Sequence, residues 1–141
     1  MKILLAVDGS SYTKKMLAYL ATHDQLFGAT QHDYTVFTVQ PALPVRVRAA
    51  VDKEIAESYY AEETDKVLAP VSAFLTRHGM AVKSQWQMGP VGETIANFAD
   101  SEKYDLLIMG SHGHNALGNL VMGSVTTQVL AHSKIPVLLI R

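Results

Sequence analysis

The residues best suited to chemistry stand between positions 110 and 127, where Gly110, Gly113 and Gly123 punctuate a run that ends in Ser124, Val125, Thr126 and Thr127. The run follows the apolar segment Leu106–Met109 and leads into a helical pattern from Ser124 to His132. A glycine lets backbone N–H groups come close to a ligand, and the first amides of a helix are unpaired donors at the positive end of its dipole. Such an arrangement favours a bound anion, phosphate above all. The same pattern also describes a long connection shaped by its glycines ahead of a helix capped by Ser124, and spacing alone leaves both readings open.

Asp8 directly follows the apolar run Ile3–Val7. A carboxylate at the carboxyl end of a strand can accept hydrogen bonds from ribose hydroxyls. It can equally form an Asx-turn or cap the next helix, although Ser10 and Ser11 already offer caps there. His112 and His114 make an H-x-H pair, but no Cys or carboxylate in the loop completes a metal-ligand set. No Gly is followed by Lys and no G-x-G-x-x-G follows the first strand, so the common kinase and dehydrogenase loops are absent. The stretch from Gly110 to Gln128 contains no Lys, Arg, Asp or Glu. Fast phosphoryl transfer needs positioned cations and a group to orient the nucleophile, so little or no turnover is expected. A G-x-S-x-G elbow is also lacking, which argues against a serine hydrolase.

Positioning these residues requires a sheet. The runs Ile3–Val7, Tyr34–Val39, Leu106–Met109 and Val137–Ile140 read as strands buried on both faces. Val82–Met88 alternates Val82, Ser84, Trp86 and Met88 with Lys83, Gln85 and Gln87, which predicts a half-exposed strand near an edge. A first helix is predicted from Ser10 or Ser11 to near Gly28, with Met16, Leu17, Leu20 and Phe27 inward. A second spans about 49–77, with Val51, Ile55, Tyr59, Val67, Val71, Phe74 and Leu75 as its stripe and a kink or break at Pro70. A third runs from Val91 to Ser101 behind Pro90, and a fourth from Ser124 to His132. Pro41 and Pro44 stiffen the connection from Gln40 to Ala50, whose Arg46 and Arg48 could fold over a ligand and meet its phosphates but read more readily as part of a solvated loop. The alternating order predicts an α/β, doubly wound parallel sheet with ligands beyond the strands' carboxyl ends.

Composition bounds the rest. With 141 residues, 48% of them hydrophobic, the chain can bury one core but not two, so a single domain over 1–141 is expected. Twelve basic against thirteen acidic residues give a net charge of −1, with no basic cluster for a nucleic-acid backbone. The absence of cysteine fits a reducing compartment, and no apolar run is long enough for a leader core or a membrane span. A soluble, cytoplasmic protein is expected, with neither nucleic acid nor membrane as partner.

Gly110-x2-Gly113-x9-Gly123-Ser124, together with Ala6-Val7-Asp8-Gly9-Ser10, resembles the G-x2-G-x9-G-S/T signature of the nucleotide-binding universal stress proteins, and the resemblance extends along the whole chain. It implies a five-stranded sheet in the order 3-2-1-4-5, a Rossmann-like fold akin to the adenine nucleotide alpha hydrolases, and ATP or a related adenine nucleotide at its carboxyl edge. It places Asp8 near the ribose, the backbone of Ala6, Val7 and Val39 beside the adenine, and Met109 under it. Gly110, Gly113, Gly123, Ser124, Val125 and Thr126 would surround the phosphates, whose oxygens would hold Mg2+. His114 stands where many nucleotide-binding members carry Arg; a contact with the terminal phosphate would make affinity fall as pH rises between about 5 and 8. The resemblance further implies a nucleotide-dependent stress-response regulator and a homodimer through Val137–Ile140, whose apolar edge carries no inward charge to blunt it. A slow ATPase or autophosphorylating protein and a dimeric scaffold without nucleotide are the alternatives; the intact glycine set argues against the second.

Overall fold

A computed structural model describes residues 1–116 and 118–141. Its elements are β1 (Lys2–Ala6), α1 (Ser11–Thr22), α2 (Asp24–Phe27), β2 (Asp33–Gln40), α3 (Val45–Ala50), α4 (Lys53–Arg77), β3 (Val82–Met88), α5 (Val91–Ser101), β4 (Leu106–Gly110), α6 (Ser124–His132) and β5 (Val137–Ile140). The strands form one five-stranded sheet in the order β3-β2-β1-β4-β5, with every pairing parallel. The expected α/β architecture and strand order are therefore present.

Alternation along the central strands divides the core. Ile3, Leu5, Tyr34 and Val36 pack with Met16, Leu17 and Leu20 of α1 and with Leu68, Val71 and Leu75 of α4. Leu4, Ala6, Phe37 and Val39 face the other way, against Ile95, Phe98 and Ala99 of α5 and Val129 of α6. Phe37 and Phe98 stack with ring centroids 4.2 Å apart. Successive strand residues thus serve both layers, the reason β1, β2 and β4 read as unbroken apolar runs.

Several elements depart from expectation. The first helix stops at Thr22, because Thr22 Oγ1 donates to the Ala18 carbonyl and His23 Nδ1 bonds the Tyr19 carbonyl at 2.8 Å. These side chains compete with the helical ladder, and the short α2 carries Phe27 inward. Helix α4 continues through Pro70 without a break, although proline cannot donate to the carbonyl of Lys66. Its buried face is Tyr60, Thr64, Leu68, Val71 and Leu75, so Ile55 and Tyr59 lie exposed rather than in the expected stripe. A helix, α3, occupies part of the connection read as a loop, and none of its residues is buried. Strand β5 is only half-buried from Val137 to Leu139, since it forms the sheet edge opposite β3.

Candidate functional site

In the order β3-β2-β1-β4-β5 the chain reverses its direction of travel between β1 and β4, and in open parallel sheets that reversal opens a crevice at the carboxyl edge. A cleft of about 510 Å³ lies there. It is lined by Ala6, Val7 and Asp8 after β1, Val39 of β2, Met109 and Gly110 of β4, Gly113 and His114 of the loop, and Gly123, Ser124, Val125 and Thr126 at the start of α6. Every candidate site residue from the sequence is thus at one place.

The turn after β1 explains how Asp8 is held. Its Oδ1 accepts the Ser10 N–H at 2.9 Å and the Thr13 hydroxyl at 3.0 Å, while Thr13 Oγ1 accepts the amides of Asp8 and Gly9. This is the Asx-turn that the sequence left open, and it occupies one carboxylate oxygen. Oδ2 points toward Gly113, where a Cβ would lie 2.7 Å from it. Asp8 is therefore both a turn residue and a carboxylate facing the cleft. Ser10 holds the N-cap position of α1 but its side chain caps nothing; the Thr13 hydroxyl ties down the turn ahead of the helix rather than the helix's own first amides.

The three glycines at 110, 113 and 123 each answer a close approach. A Cβ at Gly110 would lie 2.6 Å from Tyr12 Cβ, and one at Gly123 would lie 3.2 Å from His112 Cα. The Gly123 amide is spent on the Ser111 carbonyl at 2.8 Å, and that of Ser111 on the Ile140 carbonyl at 2.8 Å. The glycines thus close the loop upon itself and upon Asp8. Bare donors come from the next turn: α6 has no side-chain cap, and among the described residues the amides of Ser124, Val125 and Thr126 have no acceptor. Thr126 anchors that turn by donating its hydroxyl to the carbonyls of Gly110 and Ser111 at 3.2 and 3.0 Å.

Both loop histidines are engaged. His112 Nε2 donates to the Leu120 carbonyl and Nδ1 accepts from Ser111 Oγ, each at 2.8 Å. His114 Nε2 donates to the Asp8 carbonyl at 2.7 Å, which joins the loop to the β1 turn. Among the described residues no group of three His, Cys, Asp or Glu could hold a metal ion.

Further lining residues carry no sequence signal. Thr13 of α1, Thr38 and Gln40 of β2, Pro41 just beyond it, Glu63 and Val67 of α4, and Val91 and Ile95 of α5 add to the walls. Periodicity places Val67 and Ile95 in helices but cannot say that those helices meet the carboxyl edge.

These features define a class: a Rossmann-like α/β domain whose crevice joins an apolar slot, a free carboxylate oxygen and an uncapped helix N-terminus. The chain belongs to the universal stress protein family, whose model matches residues 1–141. It is 31% identical over 140 residues to universal stress protein Slr1230 of Synechocystis, covering 99% of this chain but 42% of that protein's length. A Thermus aquaticus universal stress protein is 31% identical, with 99% of this chain and 97% of that one covered. The solved structure of MJ0577 from Methanocaldococcus jannaschii superposes with a TM-score of 0.80 at 27% identity, covering 99% of this chain and 94% of that one. At lower identity the fold recurs in an Archaeoglobus fulgidus universal stress protein in complex with dAMP (21%, TM-score 0.64) and an Arabidopsis thaliana family protein with AMP bound (14%, TM-score 0.69).

Proposed function

We propose that the cleft binds an adenine nucleotide, ATP in its magnesium complex, and that the protein acts as a nucleotide-dependent stress-response regulator in the cytoplasm. One observation carries the reading. The three unpartnered amides at the start of α6 open into the same crevice as the apolar slot of Ala6, Val39 and Met109 and the free oxygen of Asp8. Amides and helix dipole suit phosphate, the carboxylate suits a ribose hydroxyl, and the slot suits a purine. Fold neighbours bound to AMP and dAMP support the ligand class. Since no set of side chains among the described residues is fit to hold a metal, magnesium would be held by phosphate oxygens, where it would offset their charge.

Turnover is expected to be slow or absent: the first turn of α6 offers neither a cation nor a general base, and both loop histidines bind their neighbours. Denaturing the purified protein and identifying released nucleotide by mass spectrometry tests the ligand. Gly113→Ala supplies the specific control. Its Cβ would displace Asp8 Oδ2, so nucleotide affinity is expected to fall at least about tenfold, the scale of one charged hydrogen bond. Unchanged titration calorimetry for that variant would remove Asp8 from the site.

A further inference from the structure

Charge, rather than shape, is the least balanced property of the cleft. Among the described lining residues Asp8 and Glu63 are the only side chains with a formal charge when the histidines are neutral, and neither Lys nor Arg lines it. Glu63 stands one helical turn before Val67, which packs against Gly9 in the Asp8 turn. The α4 wall thus contributes the second acidic residue of the cleft. Lys66 bonds Glu63 Oε1 at 2.9 Å, but the lysine is 69% exposed and the glutamate 34%, so water screens the lysine's charge more than the carboxylate's. The phosphate end offers only amides and the partial charge of a helix terminus.

We propose that Glu63 sets the charge of nucleotide the cleft accepts: it disfavours uncomplexed polyphosphate, so that ATP binds as its magnesium complex while a monophosphate binds without metal. The inference rests on the adenine nucleotide reading of the cleft. Repulsion grows with ligand charge, which metal-free ATP carries in excess of AMP and which magnesium partly cancels, whereas the contacts of base and ribose are common to all three.

The test is titration calorimetry of AMP, ATP with EDTA, and ATP with magnesium at low ionic strength, for the natural protein and for Glu63→Gln, Lys66→Met and Glu62→Gln. Glu62 is exposed and does not line the cleft, so its variant removes the same charge from outside. Glu63→Gln is expected to tighten metal-free ATP about fivefold and AMP less than about twofold, and Lys66→Met to weaken metal-free ATP, effects that added salt erases. Equal gains for AMP and ATP, or an equal gain from Glu62→Gln, would overturn the role of Glu63. If neither AMP nor magnesium ATP binds the natural protein, the nucleotide reading itself falls and this inference with it.

Discussion

At the scale of single residues, two side chains show how a polar atom takes its meaning from its neighbours. Asp8 divides its carboxylate between the β1 turn and the cleft, so replacing it removes a fold contact and a group facing the cleft together. Tyr34 has no such second use. Its hydroxyl is buried and, among the described residues, unpartnered, and burial pushes its pKa up to about 12. An unfolded tyrosine ionises near its ordinary value of 10.0, so the unfolded state gains from ionisation first. Stability is therefore expected to fall as pH rises from about 10 to 12, by about 1.4 kcal/mol for each pH unit in that window. Tyr34→Phe should lack that loss and, near neutrality, match or exceed the natural protein by up to about 1 kcal/mol, because no hydrogen bond is sacrificed. Urea midpoints at about pH 9 and pH 11, on either side of the onset of tyrosine ionisation, check the sign for both proteins; parallel behaviour would assign alkaline loss to other groups.

At the scale of elements, the seam between α5 and α6 holds the free amides in place. A Cβ at Gly92 would lie 2.5 Å from Gln128 Cβ and 3.0 Å from the Val125 carbonyl, so only glycine lets the two helices meet so closely. Gly92→Ala is expected to push α6 outward, lowering stability by about 1–2 kcal/mol after the gain in helix propensity is subtracted, and to weaken nucleotide binding as well. Denaturant unfolding and calorimetry separate the effects. A stability loss with affinity intact would show that the amides do not depend on this seam. This glycine lies outside the loop motif, and nothing in its local sequence distinguishes it from a helix-weakening residue. The glycines at 110, 113 and 123 were legible because their spacing is itself the signal. Thr126 and His114 were legible as residue types near the site, but their partners lie 15 and 106 positions away, respectively, and Thr13, which holds Asp8, was not legible at all.

At the scale of the whole molecule, a sheet with two open edges leaves backbone groups unpaired on both sides. The β3 edge carries Trp86 at 40% and Met88 at 47% exposure. The β5 edge is a short strand of four apolar residues, three of them half-buried, and it adjoins the loop through the bond from the Ser111 amide to the Ile140 carbonyl. A homodimer through Val137–Ile140 is the expected assembly. Light scattering should give twice the mass of 15.4 kDa, and amides on the outer edge of β5 should exchange with solvent faster on dilution as dimers dissociate. Equally fast exchange at all concentrations, with a monomer mass, would remove β5 as an interface.

By itself the sequence determined the alternation of strands and helices, the apolar runs of the central strands and the loop that carries the glycines, because each depends on neighbours a few positions apart. It also placed every candidate residue of the cleft within reach of the carboxyl edge. Only the tertiary structure decided that α1 ends at Thr22, that Tyr60 rather than Tyr59 turns inward, that Gly123 closes the loop instead of offering its amide, and that Glu63 joins Asp8 at the cleft. Those outcomes follow from which surfaces meet when the layers pack, and chain-local periodicity carries no information about contacts made across the sheet.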